Sequence, residues 1–488
     1  MTQRIGQIQR LFRALTGAAL TLVLVQCSAT SYIDHQVTLS DPPARQADIP
    51  IAARREHQRI LAAYGGLYES PQLEAELNDI VAKLVAASER PDMHYRVIIL
   101  NAPGVNAFAL PTGQIYVTRG LLALANDKAE LASVLSHEMA HVIARHAAIR
   151  EDQARQVALV NQATPELLAD PQKGALALAK SKIALASFSR AQEFEADGIG
   201  VGIAARAGYD PYGATRFLTA MGRNAELRAA LTKIDPQGYE FLSSHPATPE
   251  RVTNATLNAR QFSRAEPGIR DKDRYLPLLD GLVQDEDPSE GLVRGRKFFH
   301  PKLGFTFTAP DGFMLDNTPR AVFGMKDSGE QALRLDVVRI PAEQKLTDYL
   351  QSGWMDNIDP GSIEETTING LATARASADG EPWSFRIYAI RFGSDVYRFI
   401  FAAREFSPAR ERGVRDTVNS FRRMTLAEMK SAQARRLKIV TVGARDTVAS
   451  LAARMAYPDR QVERFRILNG LNAADKLTPG DLVKIVVE

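Results

Sequence analysis

His137, Glu138 and His141 fall within the run Ser136-His137-Glu138-Met139-Ala140-His141. Residues i and i+4 of a helix share one face, so both imidazoles can reach a single metal ion. Glu138 then projects beside them, where it can take a proton from water held at that ion. A lone buried histidine is usually a hydrogen-bonded structural group, but two histidines and a glutamate on one face favour a metal. The arrangement needs a helix to carry it, and the local sequence supplies one. Asp127-Lys128-Ala129-Glu130 reads as a capping box, with Asp127 as N-cap and Glu130 at N3. Leu131, Val134, Leu135, Met139, Val142 and Ile143 follow at helical spacing.

A catalytic zinc needs a third protein ligand and one open position. His146 is nearest, five residues after His141. The long metzincin signature places a glycine and a third histidine where this chain has Ala144 and Ala147. On a continued helix His146 also rotates away from the metal face, and we read it as a structural or surface residue. A better candidate is the run Ala191-Gln192-Glu193-Phe194-Glu195-Ala196-Asp197. Glu193 and Asp197 are one helical turn apart, so one carboxylate can bind the metal while the other orients a ligating imidazole. Alone, that spacing also suits an acidic amphipathic helix; the upstream histidines give it weight.

These motifs, in this order, resemble the HtpX and CAAX-prenyl-protease family of gluzincin metallopeptidases, especially its soluble periplasmic, BepA-like branch. The resemblance covers about residues 48 to 262. It rests on the segment Asn106 to Leu122, on His137-Glu138-Met139-Ala140-His141, on Glu193 to Asp197, and on Ser244-His245-Pro246-Ala247-Thr248-Pro249-Glu250-Arg251. It implies one zinc ion per chain, with His137, His141 and Glu193 as ligands and Glu138 as general base. Asp197 would hydrogen-bond a ligating histidine, most naturally His137. His245 and Arg251 would lie near the metal and stabilise the oxyanion. In some periplasmic relatives the equivalent histidine instead fills the open zinc position and keeps the enzyme latent.

Tyr95 to Leu100 and Gln114 to Thr118 read as strands separated by turn residues. An exposed edge strand at Asn106, Ala107 and Phe108 could bind an extended peptide by backbone pairing. The alternative is an ordinary buried hairpin.

The chain has 488 residues, a formal charge of +3 and 24% charged residues. That length suggests about three domains, and the balanced charge gives no support for nucleic-acid binding. No run of 18 apolar residues marks an ordinary membrane-spanning helix. At the N-terminus, Arg4, Arg10 and Arg13 precede the apolar stretch Ala14 to Val25, an export-signal pattern. Cys27 is the only cysteine; it excludes an intramolecular disulfide and suits lipidation after signal cleavage, although Gln26 departs from the usual small residue. We therefore expect a periplasmic protein, anchored to the outer membrane as a lipoprotein, with ordinary signal cleavage as the alternative.

The expected fold class is multidomain α+β. Residues 1–27 are a signal peptide, 28–47 a tether, and 48–262 a mainly helical zinc peptidase domain with a small β-sheet. Within the last, Glu151 to Pro171 is less regular; the resemblance implies a candidate active-site cover, and a simple connector is the alternative. Residues 263–295 read as an acidic linker. Residues 296–425 read as an α+β domain with an antiparallel sheet, loosely resembling PsbP/Mog-type domains. Residues 437–488 resemble a small βααβ LysM module, which would make peptidoglycan a partner, although Arg445 stands where that pattern has glycine. The leading function is zinc-dependent hydrolysis of internal peptide bonds in misfolded or misassembled envelope proteins. The alternatives are a latent protease acting mainly as a chaperone or binding protein at peptidoglycan, and a hydrolase of cell-wall peptides. Polypeptides are the expected substrates, and a lipid anchor the only membrane contact.

Overall fold

The structure is a computed structural model that describes residues 51–150, 152, 188–232, 245, 248–263, 266–326 and 329–488. The export signal, Cys27, the tether and, apart from Asp152, the candidate cover lie outside the described residues.

The peptidase region opens with α1 (Ile51–Ala63) and α2 (Pro71–Ala87). In α2 the buried residues are Leu73, Leu77, Ile80, Val81 and Leu84, three or four positions apart, so one face is core. A three-stranded sheet follows: β1 (Arg96–Leu100), β2 (Ala107–Ala109) and β3 (Gln114–Thr118), in the order β1-β3-β2. β1 runs parallel to β3. β2 pairs antiparallel with β3 and forms the edge. Thr118 ends β3 and caps α3 (Arg119–Leu124), its side chain accepting from the Leu121 amide.

The helix α4 (Lys128–Ile143) carries the paired histidines and is buried along its whole length. Its start departs from the expected capping box. Asp127 accepts from the Glu130 amide, but the Glu130 carboxylate reaches past the N-cap to the Asn126 amide. Asp127 is also engaged by Arg216 and Arg270, which tie the helix start to two distant segments. The helices α5 (Arg190–Arg206) and α6 (Gly213–Thr232) pack on α4, and α7 (Pro249–Phe262) packs on both of them.

The acidic segment 263–295 is not a linker in its described part. Tyr275, Leu276, Leu279 and Leu282 are buried in the same core as α4. The acidic residues have specific partners: Asp285 meets Arg435 at 3.0 Å, Asp287 accepts from Asn101, and Glu286 accepts from the Val293 amide. Composition suggested solvation, but Asp285 and Asp287 are satisfied by groups far away in sequence and Glu286 by a nearby backbone amide.

The middle region is α+β. After β4 (Leu292–Arg294), β5 (Lys297–His300) and β6 (Phe305–Thr308) come β7 (Met314–Asn317), β8 (Ala321–Lys326), β9 (Gln331–Val338), β10 (Glu364–Ile368), β11 (Leu371–Gly380), β12 (Trp383–Phe392) and β13 (Asp395–Ala403). β7 to β13 form a seven-stranded sheet in the order β10-β11-β12-β13-β9-β8-β7, antiparallel throughout. Along β12, Tyr388, Ile390 and Phe392 enter one core while Ile387 and Ala389 enter another, the alternation of a sheet covered on both faces. The helix α8 (Pro408–Asn419) contributes Val414 and Val418 to the first core. β14 (Arg422–Arg423) joins β4 to β6 in a four-stranded sheet, and α9 (Leu426–Ser431) follows.

The C-terminal segment runs β15 (Arg436–Thr441), α10 (Val448–Ala452), α11 (Gln461–Leu468) and β16 (Leu482–Val487), the two strands antiparallel. It shares the core of the peptidase region. Lys484 is completely buried, and its ammonium donates to the carbonyls of Ala123 (2.7 Å), Leu124 (3.2 Å) and Ala125 (2.8 Å). It thereby caps the exposed carbonyl end of α3, which needs partners when buried. Among the described residues, no helix is long and apolar enough to cross a membrane.

Candidate metal centre

The centre is built where α5 crosses α4. A Cβ on Gly200 would lie 3.0 Å from the His137 backbone nitrogen and 3.1 Å from its Cα. Only a glycine lets the two helices approach this closely at that point. Ser189 starts α5 with a reciprocal capping box to Gln192, which sets Glu193 in the first turn, facing α4. Thr248 caps α7 and places Arg251 in its first turn.

Four buried side chains converge: the ligand atoms of His137, His141, Glu193 and His245 all lie within 4.8 Å of one another. His141 Nε2 is 3.0 Å from His137 Nε2, and His137 Nε2 is 3.3 Å from His245 Nδ1. Glu193 Oε2 is 3.6 Å from His137 Nε2, Glu193 Oε1 is 3.5 Å from His141 Nε2, and Glu193 Oε1 is 2.9 Å from His245 Nδ1. Three imidazole nitrogens and a carboxylate facing one point are a fitting donor set for zinc. Glu138 is 1% exposed. Its Oε1 has no hydrogen-bond partner among the described residues and lies 3.9 Å from His245 Nε2, which places a carboxylate oxygen beside the donors.

Behind these groups Asp197 Oδ1 is 3.0 Å from His137 Nδ1. Arg251 holds both carboxylates: Nε and Nη2 donate to Asp197 at 2.8 and 2.6 Å, and Nη1 lies 2.6 Å from Glu193 Oε2. The expectation for Arg251 was a place at the oxyanion. All three of its nitrogens are directed at carboxylates, so it acts as a clamp on Glu193 and Asp197. Of the two readings of His146, structural or surface, burial leaves the first. It is not on the surface but 1% exposed, with Nδ1 2.9 Å from His141 Nδ1. Phe188 stacks on His141 with ring centroids 4.0 Å apart, and the Arg150 guanidinium lies 4.4 Å from the Phe188 centroid.

Burial opposes charge on His137, Glu138, His141 and Glu193, and for His137 and Glu193 the neighbours outweigh it. Burial lowers the His137 pKa, but Asp197 and Glu193 outweigh it and push it up to about 9. His141 is held well below its ordinary value by burial and by His137 and His245. Burial raises Glu138 above the usual carboxylate range. Glu193 stays well below that range despite its burial, because His137 and His245 stabilise its charge. A cation entering the cluster would displace the His137 proton, the expected coupling of metal binding to proton release.

The edge strand β2 lies against α4. Ala107 is buried, while Phe108 and Ala109 are partly exposed. Phe108 stacks on Tyr116 at 5.0 Å. Asn106 is 4% exposed, and its side-chain amide donates to the Tyr64 hydroxyl. The strand is thus a sheet edge and also half of a hairpin.

The model of peptidase family M48 matches residues 71–258, the span that holds His137, Glu138, His141, Glu193, Asp197, His245 and Arg251. Residues 71–258 carry a peptidase family M48 domain. The M48 region is similar to the beta-barrel assembly-enhancing protease of Escherichia coli (strain K12), 29% identical over 271 residues, 52% of this chain and 53% of that protein. The mitochondrial metalloendopeptidase OMA1 of Arabidopsis thaliana is 34% identical over 171 residues, 34% of this chain and 32% of its own length. The chain therefore spans about half the length of the bacterial relative and a third of the plant one. The solution structure of cyanobacterial PsbP from Synechocystis covers 26% of this chain and 91% of its own at 12% identity, with a TM-score of 0.21, too low to bear on the fold of the middle region.

Sequence reading missed Gly200, Phe188, Glu195 and the placement of His146. Gly198, Gly200 and Gly202 at alternate positions of one helix were a usable sign of close helix approach. Nothing local marked the other three.

Proposed function

We propose that this chain is a zinc-dependent endopeptidase of the bacterial cell envelope that cleaves internal peptide bonds of misfolded or misassembled proteins. The observation that carries the reading is the convergence of His137, His141, Glu193 and His245 beside the buried carboxylate of Glu138. Zinc, when bound by His137, His141 and Glu193, would polarise the scissile carbonyl and acidify water. Glu138 accepts the proton of the attacking water and delivers it to the leaving amine. The β2 edge at Asn106, Ala107 and Phe108 aligns an extended substrate through its backbone, which tolerates many sequences. Envelope residence is supported by the N-terminal export pattern and by the similarity to a bacterial assembly-enhancing protease.

A resting, closed form is favoured by one specific contact. His245 Nδ1 stands among the donor atoms, 2.9 Å from Glu193 Oε1, so the imidazole can complete the zinc shell and exclude substrate. Purified chain should cleave an unfolded protein such as casein, lose that activity to a chelator, and regain it with zinc. Cleavage that survives complete metal removal would refute the proposal.

A further inference from the structure

Arg145 follows α4 with φ 56°, in the left-handed region that a side chain such as arginine rarely adopts. The helix therefore does not continue into His146. Instead the chain turns, and the His146 ring comes back to face His141, Nδ1 to Nδ1 at 2.9 Å. The other nitrogen of His146 lies 3.3 Å from Glu195 Oε2, on the same helix that supplies Glu193 and Asp197. His146 is buried, and the Glu195 side chain is about one-third exposed, at 33%.

The protons in this chain of contacts can be assigned. His141 Nε2 is one of the converging ligand atoms and must keep its lone pair for a metal. A neutral His141 then carries its hydrogen on Nδ1 and donates to His146 Nδ1. A neutral His146 must carry its own hydrogen on Nε2, where the Glu195 carboxylate accepts it. One carboxylate thus sets the tautomer of two rings in series. The other histidine on α4 has a shorter connection, with His137 Nδ1 directly beside Asp197.

We infer that His146 and Glu195 are positioning residues for the metal centre, fixing the tautomer and ring plane of His141 from behind. The inference rests on the metal-centre reading above. It differs from a merely structural buried histidine in one respect: what position 146 must supply is an acceptor aimed at His141.

Zinc affinity of the purified full chain, measured by competition with a chromophoric chelator, tests this. His146→Leu should weaken binding about 10- to 100-fold, the usual range for loss of an outer partner of a ligating histidine. Glu195→Ala, a change at a partly exposed helix position, should weaken it about threefold or more, by the same mechanism acting one bond further out. His146→Asn should bind more tightly than His146→Leu, because its Oδ1 restores an acceptor near Nδ1. Wild-type affinity in Glu195→Ala, or His146→Asn no tighter than His146→Leu, would overturn the inference. If His146→Leu does not fold, the Glu195→Ala result decides alone. A wild-type chain that binds no zinc would remove the metal reading and this inference together, and that outcome is distinct from variants that bind like wild type.

Discussion

Glu138→Gln should reduce peptide-bond cleavage about 10³-fold, within the range expected for loss of a positioned general base, while zinc content stays at the wild-type level. The two halves of this result have separate causes. Glu138 is not among the converging ligand atoms of His137, His141, Glu193 and His245, so the donor set survives. Glutamine keeps the shape of the side chain, and the site is already buried, so packing changes little. What disappears is the ability to accept a proton. The carboxylate is suited to that task because burial raises its pKa above the ordinary range, bringing it closer to working pH. Steady-state cleavage of casein together with metal analysis of the same preparation checks both halves. Undiminished cleavage would mean that another residue is the base. Loss of zinc along with activity would make Glu138 a structural support of the site.

His245→Ala should raise basal cleavage about tenfold, equivalent to removing a closed-state preference of about 1.4 kcal/mol. The argument is geometric. His245 lies 108 residues from His137 in sequence, yet its Nδ1 reaches within 3.3 Å of His137 Nε2. It is 2% exposed and so is removed from solvent along with the ligands. An imidazole in that place competes with substrate for the open zinc position, and alanine cannot. The opposite outcome is equally legible: a tenfold or greater fall would make His245 a stabiliser of charge in the transition state. A comparison of kcat and KM on one peptide substrate separates these results. Release of a closed form raises the fraction of competent enzyme, whereas loss of a charge stabiliser lowers kcat.

The legible parts of the centre were those encoded by local periodicity. His137 and His141 are one turn apart on a helix whose apolar positions and Asp127 cap could be read directly, and the same turn spacing relates Glu193 to Asp197. What was illegible depends on tertiary placement. A helix extrapolated through Arg145 turns His146 outward; the left-handed backbone at that residue turns it inward, and arginine carries no signal for it. The hold of Arg251 on Glu193 and Asp197 was not legible, because sequence does not show which side of the carboxylates it approaches. The same limit explains the middle of the chain. Asp285, Glu286 and Asp287 look like a solvated charge run, yet each has a specific partner in the fold. Lys484 would be assigned to the surface on residue type alone, and only the carbonyl end of α3 explains its burial. In the middle sheet the strands were readable as short apolar runs bounded by turn residues, such as Gly393 and Ser394 between β12 and β13.

The most direct test of the central claim is the zinc content of the purified chain and of Glu193→Gln, measured by elemental analysis after removal of loosely bound metal. The account predicts about one zinc per wild-type chain and a large loss in Glu193→Gln, because the carboxylate that converges with the three histidines among the described residues has been neutralised. Wild-type protein without zinc, or a Glu193→Gln chain that retains it fully, would contradict a metal centre held by His137, His141 and Glu193.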